Sequence, residues 1–206
     1  MNTLQPSLHL TTSNRSALKM AKTYKELGIK NYDFLLRIYD RDLINIDPFS
    51  AHLSKIQKGK VIAEVKRNPW YYFREIARVP VPGGNVKFEF NRGNVAQLWC
   101  CMNSINFLEM LPRQKGKTVG VVSAIVYVLN FVLTNSELAF TNKAVGDAQL
   151  NLKRYHEQCG LIPQYLLAKD SKLDTENVNF YRLDSLNNKI KVISAGTSPE
   201  HADKLG

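Results

Sequence analysis

Residues 105–131 constrain this chain more than any other stretch. They run Ile105-Asn-Phe-Leu-Glu-Met-Leu-Pro-Arg-Gln-Lys-Gly-Lys-Thr118 and continue Val-Gly-Val-Val-Ser-Ala-Ile-Val-Tyr-Val-Leu-Asn-Phe131. An apolar run, a short basic turn and a long apolar helical pattern follow one another without a break. That order predicts a strand over Ile105–Leu111, a loop, and a buried helix over Lys117–Leu133. The turn closes on Gly116-Lys117-Thr118, the end of a phosphate-binding loop. A glycine lets the backbone approach phosphate closely. A lysine meets the β/γ-phosphate charge, and a hydroxyl ligates Mg²⁺. The following helix aims its free N–H groups and positive dipole end at the same phosphates.

Gly-Lys-Thr alone is a weak signal. The full pattern, G-x-x-x-x-G-K-[ST], has its first glycine where this chain has Leu111. The strand-loop-helix context supplies what that missing glycine does not.

Charge sharpens the reading. The chain has 206 residues and a formal net charge of +10. Residues 1–118 carry 19 Lys/Arg against 9 Asp/Glu, whereas residues 119–206 carry 9 of each. The whole excess lies before and within the loop, as contact with a polyanion would need, although a solvated basic face would look the same. The 44% hydrophobic content is ordinary for a globular chain. The run near Val119–Leu133 is broken by Ser123 and Asn130 and reads as a buried helix, not a membrane span. The polar start lacks the apolar stretch of a signal peptide. Cys100, Cys101 and Cys159 form no disulfide framework; the adjacent pair reads as core thiols in a reducing, cytosolic setting. His9, His52, His156 and His201 have no metal-ligand spacing, and His156 reads as a surface residue.

Met1–Arg15 is polar and expected to be mobile. Ser16–Leu27 and Tyr32–Ile38 show helical spacing around a break at Gly28, Asp47-Pro48-Phe49 is a turn, and lysine-rich Ile56–Val65 is a helix candidate. Asn68-Pro69 opens a helix by a cap and a first-turn proline. The aromatics Trp70–Phe73 behind it are either core or, beside Arg74 and Arg78, a base-stacking surface; core is the stronger reading. Val79–Gly84 reads as a linker, which places a boundary between a helical extension (1–84) and a core (85–206). Lys87–Phe90 is a short strand candidate, Arg92–Met102 a helix, Glu137–Thr141 a strand, and Ala144–Cys159 a helix stopped by Gly160. Val178–Leu183 and Lys189–Ala195 alternate as a hairpin turning at Leu186-Asn187-Asn188. The sum is an α/β fold, a mainly parallel sheet of the P-loop type behind a helical extension, with ligand at the carboxyl ends of the strands.

Arg113-Gln114 before Lys115-Gly116-Lys117-Thr118 forms R-Q-x-G-K-[ST]. This resembles the deviant Walker A of the large terminase subunits of tailed phages, the motors that drive DNA into the capsid. Asn68-Pro-Trp-Tyr-Tyr-Phe-Arg-Glu75, Val79-Pro-Val-Pro-Gly83 and Asn91-Arg-Gly-Asn94 with Gln97 resemble the region before that motif. Asn142-Lys143, a helix and Leu161-Ile-Pro-Gln-Tyr-Leu166 resemble the segment after it. Ile193-Ser-Ala-Gly-Thr-Ser198 with Ala202-Asp-Lys-Leu-Gly206 resembles the segment before Walker B. The likeness spans about residues 30–206.

The resemblance implies ATP and Mg²⁺ as cofactors. Lys117 would hold the β/γ-phosphates, Thr118 the metal, and Arg113 the γ-phosphate, while Gln114, Lys115 and Gly116 shape the loop. Asn94 or Gln97 would read adenine. Implied partners are double-stranded DNA, a portal protein, a small terminase subunit and further copies of the full-length chain, in the host cytoplasm and away from membrane. The family's Asp-Glu pair lies beyond residue 206, and no carboxylate in Thr141–Gly206 follows an apolar strand in the required way. Asp184 follows a polar strand and is rejected. The chain is therefore expected to be the ATP-binding part of such a motor, binding nucleotide with negligible turnover. The alternatives are an inactive nucleic-acid-binding or interaction module derived from one, or a helicase-type ATPase fragment.

Overall fold

The computed structural model describes residues 7–8, 12–106, 117–167 and 175–195. In chain order these form β1 (Ser7–Leu8), α1 (Arg15–Glu26), β2 (Arg37–Ile38), α2 (Lys55–Arg67) and α3 (Pro69–Tyr71). They continue as β3 (Arg78–Val81), β4 (Gly84–Lys87), α4 (Arg92–Met102), α5 (Lys117–Tyr127), β5 (Glu137–Asn142), α6 (Val145–Cys159), β6 (Thr175–Asn177), β7 (Phe180–Leu183) and β8 (Asn188–Ser194).

The fold is α/β, and its main sheet is mixed. Strands lie in the order β5-β8-β7-β6. Only β5 and β8 are parallel, with α6, β6 and β7 between them in the chain; β8 with β7 and β7 with β6 are antiparallel. The expected mainly parallel sheet is corrected on this point. The hairpin β7–β8 arises as the alternation predicts, turning through a 3₁₀ segment (Asp184–Leu186) and Asn187 at φ +51°, a left-handed conformation that asparagine tolerates. Ile105 and Asn106 carry no strand, and Ile105 is exposed. Positions 107–111 lie outside the described residues.

Helix α5 is the spine. Its residues Gly120, Val122, Ser123, Ala124, Val126 and Tyr127 are buried. It touches a different neighbour on each side. Gly120 lies against Gln97 of α4. Ser123 Oγ donates to Gln158 Oε1 of α6 (2.8 Å), and Tyr127 OH donates to the Val65 carbonyl of α2 (3.0 Å). The predicted helix to Leu133 instead changes pitch, with Val128–Val132 forming a π-turn. A widened turn leaves carbonyls without their usual partners. Asn188 meets two of them: its buried Nδ2 donates to the carbonyls of Leu129 and Leu133, each at 2.8 Å. The amide thus pins the end of α5 to the first residue of β8.

The segment that opens at Asn68 behaves as its cap and proline predict: Asn68 Oδ1 accepts from the Tyr71 N–H (3.2 Å), and Pro69 occupies the first helical position. It also finishes as a π-turn (Tyr72–Ile76), and the two π-turns face each other. Tyr72 stands 5.0 Å from Tyr127 and 5.4 Å from Phe131, ring centre to ring centre. Buried apolar residues from Ala17 to Ile190 form one cluster, with members on both sides of residue 84.

Three local expectations are corrected. Tyr32–Ile38 is no helix: after Gly28 at φ +74° the chain makes turns, a 3₁₀ segment (Phe34–Leu36) and β2. Val79–Gly84 is no linker but the turn of a hairpin, β3 with β4. Pro82 and Gly83 at φ +82° suit the two central places of a type II turn. Phe88–Phe90 leaves the strand, and Phe88 and Phe90 point into the core.

Candidate phosphate site and the two faces of helix α4

Lys117 and Thr118 are the first two described residues of α5. Thr118 is exposed and Lys117 half-buried. The first N–H groups of a helix have no intrahelical acceptor, which makes that end receptive to negative charge. Arg113, Gln114, Lys115 and Gly116 lie outside the described residues.

The first turn is held from the side by α4. Gln97 Nε2 donates to the Lys117 carbonyl at 3.3 Å. A Cβ placed on Gly120 would stand 1.9 Å from Gln97 Oε1 and 3.7 Å from Asn94 Cβ. Only a residue without a side chain allows this approach of α4 to α5. The signal was present in the sequence as the one glycine inside a β-branched run, but the partner helix was not.

Asn94 and Gln97, the two candidates for reading adenine, thus share the face of α4 that meets α5. Both are buried, at 6% and 2% exposure. Asn94 serves the helix start: its Oδ1 accepts from the Asn91 N–H (2.9 Å) and its Nδ2 donates to the Glu89 carbonyl (2.6 Å), while Asn91 Oδ1 accepts from the Asn94 N–H (3.0 Å). This reciprocal cap accounts for the Asn91-Arg-Gly-Asn94 pattern in physical terms.

The opposite face of α4 is open. Val95, Ala96, Trp99 and Cys100 line a cavity of about 580 Å³ with Tyr24, Ile29, Asn31, Phe34 and Arg37. Trp99 is 49% exposed, stacked on Trp70 at 6.4 Å and 20°, and set edge-on to Phe34. Cys101 is half-buried against the core as expected, whereas Cys100 lines the cavity.

The aromatic run near Arg74 and Arg78 is core, not a stacking surface. Tyr71, Tyr72 and Phe73 are buried, and so is Arg74, which donates to the Leu35 carbonyl and pairs with Glu75 at 2.7 Å. Arg78 lies over Phe49 at 4.2 Å, and burial lowers its pKa. His156 is also not a plain surface residue. It packs edge-on to Tyr155 and Tyr181, with Nδ1 3.3 Å from Glu176. Asp184 pairs with Arg182. Among the described residues no three His, Cys, Asp or Glu side chains gather as a metal site, and no helix is long and apolar enough to cross a membrane.

The chain matches no protein-family model and no curated protein.

Proposed function

We propose that this chain is the ATP-binding part of a DNA-packaging motor of the large-terminase type, a P-loop ATPase that couples hydrolysis to translocation of duplex DNA into a capsid. One observation carries the reading: the sequence Arg113-Gln114-Lys115-Gly116-Lys117-Thr118 runs directly into the buried helix α5. The parallel pair β5–β8, packed against α6, is compatible with an α/β frame, although β6 and β7 also lie between its strands. In this reading Lys117 binds the β/γ-phosphates, Thr118 orients toward Mg²⁺, and Gln97 fixes the first turn through the Lys117 carbonyl. The bound metal would neutralise phosphate charge. Arg113 acts late, as charge develops on the transferring group. The proposed partners are duplex DNA, a portal protein, a small terminase subunit and further copies of the chain, in the host cytoplasm.

Calorimetry with ATP·Mg, run beside a phosphate-release assay, tests this. The expected outcome is binding with negligible turnover, abolished by Lys117→Ala and largely kept by Arg113→Ala. Absence of binding by folded protein would favour a second reading, an interaction module that no longer handles nucleotide. That reading has its own support: the amides of Asn94 and Gln97 already make hydrogen bonds within the chain. Robust turnover would sink the view that the catalytic carboxylates lie elsewhere.

A further inference from the structure

We propose that the cavity on the open face of α4 binds an unpaired base of single-stranded nucleic acid, stacked on Trp99. This stands apart from the nucleotide reading, because Trp99 and Gln97 occupy opposite faces of the helix. Its volume of about 580 Å³ is within the range of small-ligand sites, roughly 300–1,000 Å³. Three of its walls are aromatic rings: Tyr24, Phe34 and Trp99. Phe34 ties them together, stacked on Tyr24 at 5.8 Å and edge-on to Trp99 at 6.0 Å. Trp99 stacks on Trp70 yet stays 49% exposed, so part of its ring is left open for a further ring to stack on.

The charges around the cavity choose the occupant. Arg37 lines it, and Arg92 lies close enough to the Tyr24 hydroxyl to oppose the rise in pKa that burial gives that phenol. Lys25 and Lys30 are exposed in and just after the last turn of α1. Against them stand Asp33, which accepts from Arg37 Nε and Nη2, and Glu26, 3.9 Å from Lys22. The balance is positive, which suits a phosphate backbone beside the ring and disfavours a basic or neutral apolar peptide; an acidic peptide shares the attraction but lacks the run of planar rings that three aromatic walls favour. The base must be unpaired, because a base inside a duplex offers an edge and not a face.

The chain has two tryptophans, Trp70 and Trp99, and they stack on each other at this site. A base entering the cavity should therefore quench the emission of Trp99, one of only two tryptophans. The test titrates the full chain with a labelled oligothymidylate of roughly ten nucleotides, following label anisotropy and tryptophan quenching together. Both should saturate with one affinity that falls as salt rises. Trp99→Leu should weaken binding about ten-fold or more, whereas Trp99→Phe, which keeps an aromatic face, should retain most of it. ATP·Mg binding should be unchanged in Trp99→Leu, so a failure of nucleotide binding and a failure of base binding are distinguishable. Anisotropy change without quenching, equal affinity of Trp99→Leu, or equal competition by a duplex of the same length would overturn the proposal. So would absence of binding at low salt by protein that circular dichroism shows to be folded.

Discussion

In residues 12–90 the deepest polar groups include a carboxylate and a guanidinium, Glu64 and Arg74, each at most 1% exposed. In residues 117–195 the buried polar groups are neutral: Ser123, Asn130, Gln158 and Asn188. The first region joins its two long helices, α1 and α2, by loops, 3₁₀ turns and two-stranded ribbons, whose backbone groups cannot all pair with one another. Buried side chains do that work. Glu64 accepts from the Tyr39 N–H (2.9 Å) and the Asp40 N–H (3.2 Å), and from Arg67 and Asn68. Asn14 donates to the carbonyls of Arg74 and Phe88. The second region has a long helix and a sheet that satisfy their own backbones, so polar side chains enter only at joints. Irregular chain needs ionic or amide hubs, and regular chain needs only staples.

What the regions share is a tyrosine core, and alkaline pH should break both at once. Burial drives Tyr72 and Tyr155 well above the ordinary value, raises Tyr71 and Tyr127 strongly, and pushes Tyr165 up to about 12. The folded state holds these protons more tightly than the unfolded chain, whose tyrosines titrate near 10. The stability they contribute is complete below about pH 10 and is lost as pH rises through the folded values. We expect tyrosinate absorption to appear together with loss of the far-ultraviolet helical signal, in one cooperative step. Ionisation of these tyrosines while the helices persist would show that the shared core is looser than its packing implies.

The hub should be worth more than the staple. Glu64→Ala removes the acceptor for two backbone N–H groups and the Asn68 amide, and should cost about 3–5 kcal/mol in denaturant unfolding. Asn188→Ala strands the Leu129 and Leu133 carbonyls and the Ser136 N–H, which donates to Asn188 Oδ1 at 3.1 Å. It should cost about 2–3 kcal/mol. Equal costs would erase the contrast between the regions, and a larger cost at Asn188 would reverse it.

The same contrast explains what could be read in the sequence. Helix α4, α6 and the β7–β8 hairpin follow from apolar periodicity, caps and a turn, all local signals. Phe34, Leu35, Leu36 and Ile38 imitate helical spacing, yet the segment is turn, 3₁₀ and strand because its backbone leans on neighbours: the Arg37 carbonyl accepts from Asn68 Nδ2, and the Tyr39 N–H donates to Glu64. Nothing local in its lysine-rich helix marks Glu64 as buried, since burial of a carboxylate is decided by chain far away. At the candidate site, Lys117 and Thr118 were legible because a loop motif is contiguous. Nothing local marks Trp99 as facing a cavity, or Gly120 as the seat of Gln97, because each depends on which faces of two helices meet.

The smallest expected effect lies at that seat, where the two regions join through α4. Alanine at Gly120 should by helix propensity gain about 1 kcal/mol. Against this, its Cβ would fall 1.9 Å from Gln97 Oε1. The obstructing atom is the end of a flexible side chain, but Gln97 is 2% exposed and has little room to turn. Moving it also breaks the bond to the Lys117 carbonyl. Overpacking of this kind costs about 1–3 kcal/mol, so Gly120→Ala should come out destabilising by about 1 kcal/mol. The double variant Gly120→Ala, Gln97→Ala removes the obstruction, and the two changes should be clearly non-additive, the pair being more stable than the sum of the singles predicts. Additive costs would mean that α4 and α5 do not meet at this point. ATP·Mg affinity in the same variants gives a second reading of the seam. If Gln97 positions the first turn of α5 for phosphate, affinity should drop in Gly120→Ala and should not recover in the double variant, even though stability does.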